Sequence, residues 1–288
     1  MVAALRSTRV TLEMIKWEHS IFALPFALTG AVLAAGGWPS ARVLGWIVVC
    51  MVGARSAAMA FNRLVDAEID AENPRTAKRA LPAGEVSRGF VFAFTVISAV
   101  VFLLGAAMLN RLTLELAPVA LVIIFVYSYM KRLTRWSHLV LGVALGIAPA
   151  AAWIAVRGSL APRIVLLTAI VMLWVGGFDV LYACQDCEHD RRTGLHSVPQ
   201  AFGLRGAFWI ARAMHLAMAV LLFAMLHVFG LGILALVGVL LCVALLLYEH
   251  AIVAPNDLRR LNAAFFMLNG VISVVFFVFV AADVLYRR

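Results

Sequence analysis

Two aspartate pairs with a spacing of four stand out: Asp66 and Asp70 in Asn62-Arg63-Leu64-Val65-Asp66-Ala67-Glu68-Ile69-Asp70, and Asp186 and Asp190 in Asp186-Cys187-Glu188-His189-Asp190. On a helix that spacing stacks both carboxylates on one face, one turn apart. Asn62 extends the first face by a further turn, while Glu68 points elsewhere. Each cluster closes a long apolar segment, and carboxylates at the rim of a membrane are costly unless something positive neutralises them. Hard divalent cations take oxygen ligands, and Mg²⁺ is usually held by one or two carboxylates together with substrate phosphates. Two such faces brought together would bind a diphosphate carried by metal ions, with Asn62, Asp66, Asp70, Asp186 and Asp190 as the metal ligands.

Several cations could meet the phosphates. Arg63 is beside Asn62, Lys78 and Arg79 lie in the loop that follows, and Lys131 comes one turn after Tyr127 on the same face. Arg132 and Arg135 read instead as ordinary cytoplasmic charges. Two charged residues lie deeper. Arg55 is seven residues before Asn62, two turns down the same face, where a guanidinium must find an anion. That anion is either a structural partner such as Asp179, or the carboxylate of an acceptor, which the planar fork of arginine suits. Asp179 is seven residues before Asp186. It could orient an acceptor hydroxyl, act as a base, or pair with a buried arginine. The histidines form no metal pattern and read as packing or interfacial residues, His189 alone being a candidate supporter of the site. Cys184-x-x-Cys187 has metal-ligand spacing but no second pair, so it reads as two small residues at a helix end.

The elements that must position these residues are membrane helices. The chain is 64% hydrophobic and 14% charged, against about 45–50% and about 25% in soluble domains. About 20 apolar residues cross the hydrocarbon core as a helix, and helices satisfy their own backbone polar groups, as lipid requires. The pattern predicts an all-α protein with nine spans: 20–38, 43–65, 89–109, 112–130, 138–156, 164–185, 206–228, 230–248 and 263–284. The seventh and eighth nearly touch at Phe229-Gly230, where Gly230 and Gly232 suit a tight turn. One domain, 1–288, is expected. The N-terminal apolar run leads into a full span rather than a cleavage site, so no cleavable leader is expected.

Lys and Arg in the loops set the orientation. With the N-terminus inside, fifteen fall on the cytoplasmic side: Arg6, Arg9, Lys16, Arg75, Lys78, Arg79, Arg88, Lys131, Arg132, Arg135, Arg191, Arg192, Arg205, Arg259 and Arg260. Six fall opposite: Arg42, Arg111, Arg157, Arg163, Arg287 and Arg288. The bias predicts N-in, C-out, with both acidic clusters facing the cytoplasm. The net charge of +9 fits a basic face against anionic lipid; nucleic acid is a poor partner for charges interrupted by spans. Loops 71–88 and 186–205 each follow an acidic cluster and are the cytoplasmic loops long enough to fold over a site and exclude water. The clusters' matching places at the ends of the second and sixth spans hint at a pseudo-repeat. A transporter would carry its charges near the midplane, often in broken helices; here they gather at one rim.

These residues resemble the UbiA superfamily of intramembrane prenyltransferases, whose Asn-x-x-x-Asp-x-x-x-Asp motif matches Asn62, Asp66 and Asp70. Its second Asp-x-x-x-Asp motif matches Asp186 and Asp190, and its Tyr-x-x-x-Lys motif matches Tyr127 and Lys131. Lys78-Arg79-Ala80-Leu81-Pro82-Ala83-Gly84 is similar to a family loop. Arg63 stands where many members carry Asp, which removes a carboxylate and adds a cation near the diphosphate. The stretches Lys16–Ala27 and Gly53–Asn62 look like the 4-hydroxybenzoate polyprenyltransferase branch, and like its relative in the futalosine route to menaquinone, which takes a dihydroxynaphthoate-type acid. The resemblance implies a nine-helix bundle in a bacterial inner membrane, active on the cytoplasmic side. It implies Mg²⁺ as cofactor, polyprenyl diphosphate and a carboxylated aromatic acceptor as substrates, and electrophilic aromatic substitution in quinone biosynthesis. Catalytic roles then fall to Asp66, Asp70, Asp186, Asp190, Tyr127 and Lys131. Substrate contacts fall to Arg55, Asn62, Arg63, Lys78, Arg79, Lys131 and Asp179. Phe61, Phe178 or Tyr182 could stabilise an allylic carbocation by cation–π contact, and the isoprenoid tail would lie between helices, open to lipid.

Overall fold

A computed structural model describes residues 10–11, 13–15, 20–258, 261 and 267–287, with only the backbone of 20–22. The described residues form helices and turns and no strand. Nine longer helices follow in order: α1 (Ser20–Ala35), α2 (Ala41–Val65), α3 (Arg88–Ala107), α4 (Arg111–Val126), α5 (Ser137–Arg157), α6 (Ile164–Ala183), α7 (Val198–Val228), α8 (Ile233–Ile252) and α9 (Asn269–Tyr286). Eight of these, counted with their continuations, are long and apolar enough to cross a membrane; α1 is apolar but shorter.

Local sequence sets the boundaries. Ser40, Ser87, Asn110 and Ser197 cap α2, α3, α4 and α7, each accepting from the amide three residues on, which satisfies one of the first orphan N–H groups. Asp283, from α9, caps α8 across space: Oδ2 accepts from Gly232 N at 2.7 Å and Oδ1 from Ala235 N at 3.3 Å. Gly230 takes φ +60° in the tight turn between α7 and α8, as its position between two spans predicts.

Several edges differ from the predicted spans. α1 stops at Ala35, where Gly36 turns left-handed. α7 begins at Val198 instead of 206, because Ser197 caps it and Pro199 suits its first turn; Gly203, at φ 69°, then kinks it. α8 starts at Ile233 and runs to Ile252. The start of the last predicted span lies outside the described residues, as do the segment Lys16–His19 and Arg6, Arg9, Arg259, Arg260 and Arg288.

Lipid tails are as apolar as leucine, so helices in a bilayer are held by close packing. Gly142 and Gly146 let α5 meet α6 backbone to backbone: a Cβ at Gly142 would lie 2.4 Å from the Met172 carbonyl oxygen. The centre of the core is aromatic. Phe26 of α1 packs at a tilt against Trp174 of α6, ring centroids 4.9 Å apart, and against Phe276 of α9, 5.1 Å apart. α6 is buried along most of its length, whereas in α4 only Ala117 is buried. α4 is therefore a thin wall, and the space behind it is the cavity described next.

Candidate active site

The first acidic cluster sits on a break. α2 ends at Val65, Asp66 adopts φ −96°, ψ 8°, and the short helix Ala67–Glu72 resumes the direction. Asn62 Nδ2 donates to Asp66 Oδ2 at 2.8 Å, and Arg132 Nη2 donates to Asp66 Oδ1 at 2.9 Å. Asp70 is buried and accepts from Arg79 at 2.7 Å, with Arg63 at 3.7 Å. Glu68 turns away and pairs with Arg88 on the surface. Burial pushes the Asp66 carboxyl above its ordinary range, although Arg132 opposes the rise.

The second cluster repeats the design. α6 tightens into a 3₁₀ turn at Cys184–Asp186, Asp186 takes φ −101°, ψ 1°, and the short helix Cys187–Thr193 follows. The first aspartate of each pair thus occupies the same sparsely populated backbone region, a recurrent conformation of functional residues. Arg75 grips Asp186 with both prongs, at 2.8 and 2.5 Å, and Asn73 Nδ2 adds a bond at 3.1 Å. The same guanidinium lies over the Tyr182 ring at 5.3 Å. Asp190 is buried, and its Oδ2 has no hydrogen-bond partner among the described residues.

Both clusters line one cavity of about 900 Å³. Its rim carries Asn62, Asp66, Asp70, Asp186 and Asp190 with Arg63, Arg75, Arg79, Tyr127, Lys131 and Arg132. Below the rim come Arg55, Phe178 and Asp179, and then an apolar shaft between α2, α4, α5 and α6, with residues such as Met51, Ile123 and Ala148. Val119 of α4 lines this shaft and is 54% exposed. Both long loops supply parts of the rim: Asn73, Arg75, Thr76 and Arg79 from one, Leu195 from the other.

A profile of the UbiA prenyltransferase family matches residues 23–271. The chain belongs to this family. A 4-hydroxybenzoate octaprenyltransferase of Vibrio cholerae serotype O1 is 33% identical over 244 residues, 85% of this chain and 86% of that relative. Its counterpart in Aliivibrio fischeri strain MJ11 is 29% identical over 255 residues, 88% of each chain. Among solved structures, the apo form of a UbiA homologue from Aeropyrum pernix K1 superposes with a TM-score of 0.85 at 34% identity, covering 93% of this chain and 98% of that one. A UbiA homologue from Archaeoglobus fulgidus bound to GPP and Mg²⁺ shares the fold, with a TM-score of 0.75 at 18% identity over 96% and 99%. The protein is a prenyltransferase embedded in a membrane through several helices.

Within this UbiA site most expected residues converge, and some do not. Lys78 is exposed and lies off the cavity: the loop winds so that Arg75 and Arg79, four apart, face inward and Lys78 faces out. Phe61 packs outside, against Phe125 and Tyr129; of the three aromatics expected in the chamber, Phe178 and Tyr182 line it, as Phe102 and Tyr127 also do. Asp179 pairs with His138 at 2.7 Å. Arg132, read from sequence as an ordinary loop charge, holds Asp66 and also bonds the Val65 and Ser128 carbonyls. Asn73 went unnoticed in the sequence, and Arg75 was read only as a cytoplasmic charge; their places three and five residues beyond Asp70 were the available signal. His189 lines the cavity. Cys184 and Cys187 are free thiols bonded to the Val180 and Pro199 carbonyls.

The residues fit a hard divalent cation shared with a ligand. Among the described residues no three His, Cys, Asp or Glu side chains close around a metal by themselves. The donors are oxygens split between two facing helix ends, and the buried Asp190 Oδ2 has no hydrogen-bond partner among the described residues. That arrangement suits Mg²⁺ completed by phosphate oxygens.

Proposed function

We propose that this protein transfers a polyprenyl group from polyprenyl diphosphate to the ring of a carboxylated phenol of the 4-hydroxybenzoate type, with Mg²⁺, in quinone biosynthesis. One observation carries the reading: two acidic helix ends face each other across the mouth of one cavity whose depth is apolar. A diphosphate belongs at such a mouth and an isoprenoid tail in such a shaft. The names of the curated relatives agree with it.

The cation would be held by Asn62, Asp66, Asp70, Asp186 and Asp190 together with substrate phosphates, and when bound it supplies Lewis-acid stabilisation to the departing diphosphate. Arg63, Arg79, Lys131 and Arg132 add fixed positive charge where negative charge develops. Tyr127 lies beside Lys131 at the same rim and orients the diphosphate. Phe178 and Tyr182 present ring faces to an allylic cation in a water-poor chamber. Arg55 lies about 10 Å below Asn62, from seven residues at a rise of about 1.5 Å each, a depth that suits the acceptor's carboxylate. The chain acts as one domain, 1–288, crossing a bacterial inner membrane nine times with its N-terminus and the cavity mouth in the cytoplasm.

The test is turnover by purified protein supplied with Mg²⁺, labelled polyprenyl diphosphate and a panel of aromatic acids. Labelled 3-prenyl-4-hydroxybenzoate supports the proposal. Transfer only to a dihydroxynaphthoate-type acid, or to no aromatic acid, overturns the acceptor assignment.

A further inference from the structure

Asp179 belongs to neither acidic pair, and its setting is specific. It lies on α6 two turns before Asp186, about 10 Å deeper by the helical rise, and it lines the cavity. Its Oδ2 is 2.7 Å from His138 Nδ1, across the α5–α6 interface. His138 is 1% exposed, and its Nε2 accepts the Val198 backbone N–H at 3.3 Å. A backbone amide can only donate, so Nε2 carries the lone pair. The neutral ring therefore has its proton on Nδ1 and donates it to Asp179. One oxygen of the carboxylate is fixed by this bond. The side chain retains 16% exposure, which for a cavity-lining residue is exposure to the cavity. Lys131 and Tyr127 line the same cavity. Arg55 stands at matching depth on the opposite helix, α2. A carboxylated phenol lying across the cavity with its carboxylate towards Arg55 would present its hydroxyl to Asp179.

We propose that Asp179 is the general base for the acceptor's hydroxyl and that His138 is the residue that positions it. This rests on the prenyl-transfer reading above. The hydroxyl proton passes to Asp179 Oδ1 as the ring carbon ortho to that oxygen bonds to the allylic carbon. The allylic C–O bond breaks, and its electron pair leaves on diphosphate. The resulting dienone loses the hydrogen of its new carbon–carbon junction as a proton to a diphosphate oxygen. The ring oxygen recovers its proton from Asp179, so aromatic C–H and allylic C–O bonds are exchanged for C–C and O–H bonds. His138 keeps one carboxylate oxygen occupied, which aims the other at the substrate. The Val198 amide holds the ring from behind.

The experiment uses full-length protein in lipid nanodiscs with Mg²⁺, geranyl diphosphate and ring-fluorinated 4-hydroxybenzoates of graded phenol acidity. Asp179→Asn should lower kcat with 4-hydroxybenzoate by about 100-fold or more, in the range of general-base catalysis, and leave geranyl diphosphate binding within about twofold. The deficit should shrink as the phenol becomes more acidic, because a phenolate needs no base. His138→Ala should lower kcat about 10-fold with KM nearly unchanged, and His138→Asn, which restores a donor near the position of Nδ1, should recover most of it. An Asp179→Asn variant within about threefold of wild type, or a deficit independent of phenol acidity, overturns the dyad alone. Wild-type protein that prenylates no phenol overturns the dyad and the function together. Binding of geranyl diphosphate reports folding in each variant, and the His138 pair tests the same claim from the other side.

Discussion

Arg132 ties the end of α4 to the break in α2. Its guanidinium bonds Asp66 Oδ1 at 2.9 Å, Val65 O at 2.8 Å and Ser128 O at 3.0 Å. Arg132→Ala removes all three, and leaves a carboxylate that burial already pushes upward with less to oppose it. A hydrogen bond to a charged group contributes about 1.5–3 kcal/mol. The Arg132 and Asp66 side chains are 32% and 20% exposed, so solvent screening places the loss at the low end, about 1.5 kcal/mol. That corresponds to about tenfold weaker binding of the metal–diphosphate. Arg132→Lys should recover only part, because lysine cannot fork between a carboxylate and a carbonyl. Arg135→Ala is the control: Arg135 sits over Phe202, 5.5 Å from its ring centroid and off the cavity, and its loss should change binding less than twofold. Calorimetric titration of geranyl diphosphate in Mg²⁺ supplies the numbers, with KM as a second measure. Unchanged binding in Arg132→Ala would show that these bonds do not organise the site. Tighter binding would show that Arg132 competes with the ligand instead of organising the site.

Three further outcomes follow from the fold. Gly142→Ala places a Cβ 2.4 Å from Met172 O, which forces α5 from α6 at a cost of about 1–3 kcal/mol; thermal unfolding should occur earlier, whereas Gly45→Ala, with open space around it, should be tolerated. Asp283→Ala removes the two acceptor bonds that cap α8, worth about 1 kcal/mol, and should lower Tm by about 2–4 °C without changing turnover per folded molecule. A reporter fused after Arg288 should report the periplasm and one inserted in loop 71–88 the cytoplasm; the same compartment for both would refute nine crossings.

The acidic pairs were legible in sequence because a spacing of four is a local property of helices, and the helix ends bring both pairs to one rim. The helix types and most edges were legible for the same reason: apolar length and caps are local signals. The breaks at Asp66 and Asp186 were not, since no proline or glycine marks them; the aspartates themselves sit at the breaks. Arg132 and Arg75 were hidden by a degenerate signal. Any cytoplasmic loop of a membrane protein carries arginines, and only the approach of α4 to α2, or of loop 71–88 to α6, singles these two out. Lys78 was overread because the winding of its loop depends on Asn73 and Thr76, whose carbonyls accept from the Thr76, Ala77 and Arg79 amides. His138 lies 41 residues from Asp179 in the chain, and a lone histidine in an apolar segment gives no pattern. The family resemblance could name the motif residues, but not the charges that surround them here.

In the proposed function the two acidic helix ends act together on one metal-bound diphosphate. Direct titration of geranyl diphosphate into wild-type, Asp66→Asn and Asp190→Asn protein, each in Mg²⁺ and in excess EDTA, tests it most directly. Wild type should bind tightly in Mg²⁺ alone, and either variant should lose about tenfold or more, since each removes a proposed ligand from a different end of the same site. Wild-type binding that survives EDTA, or a variant from either cluster that binds as wild type does, would contradict it.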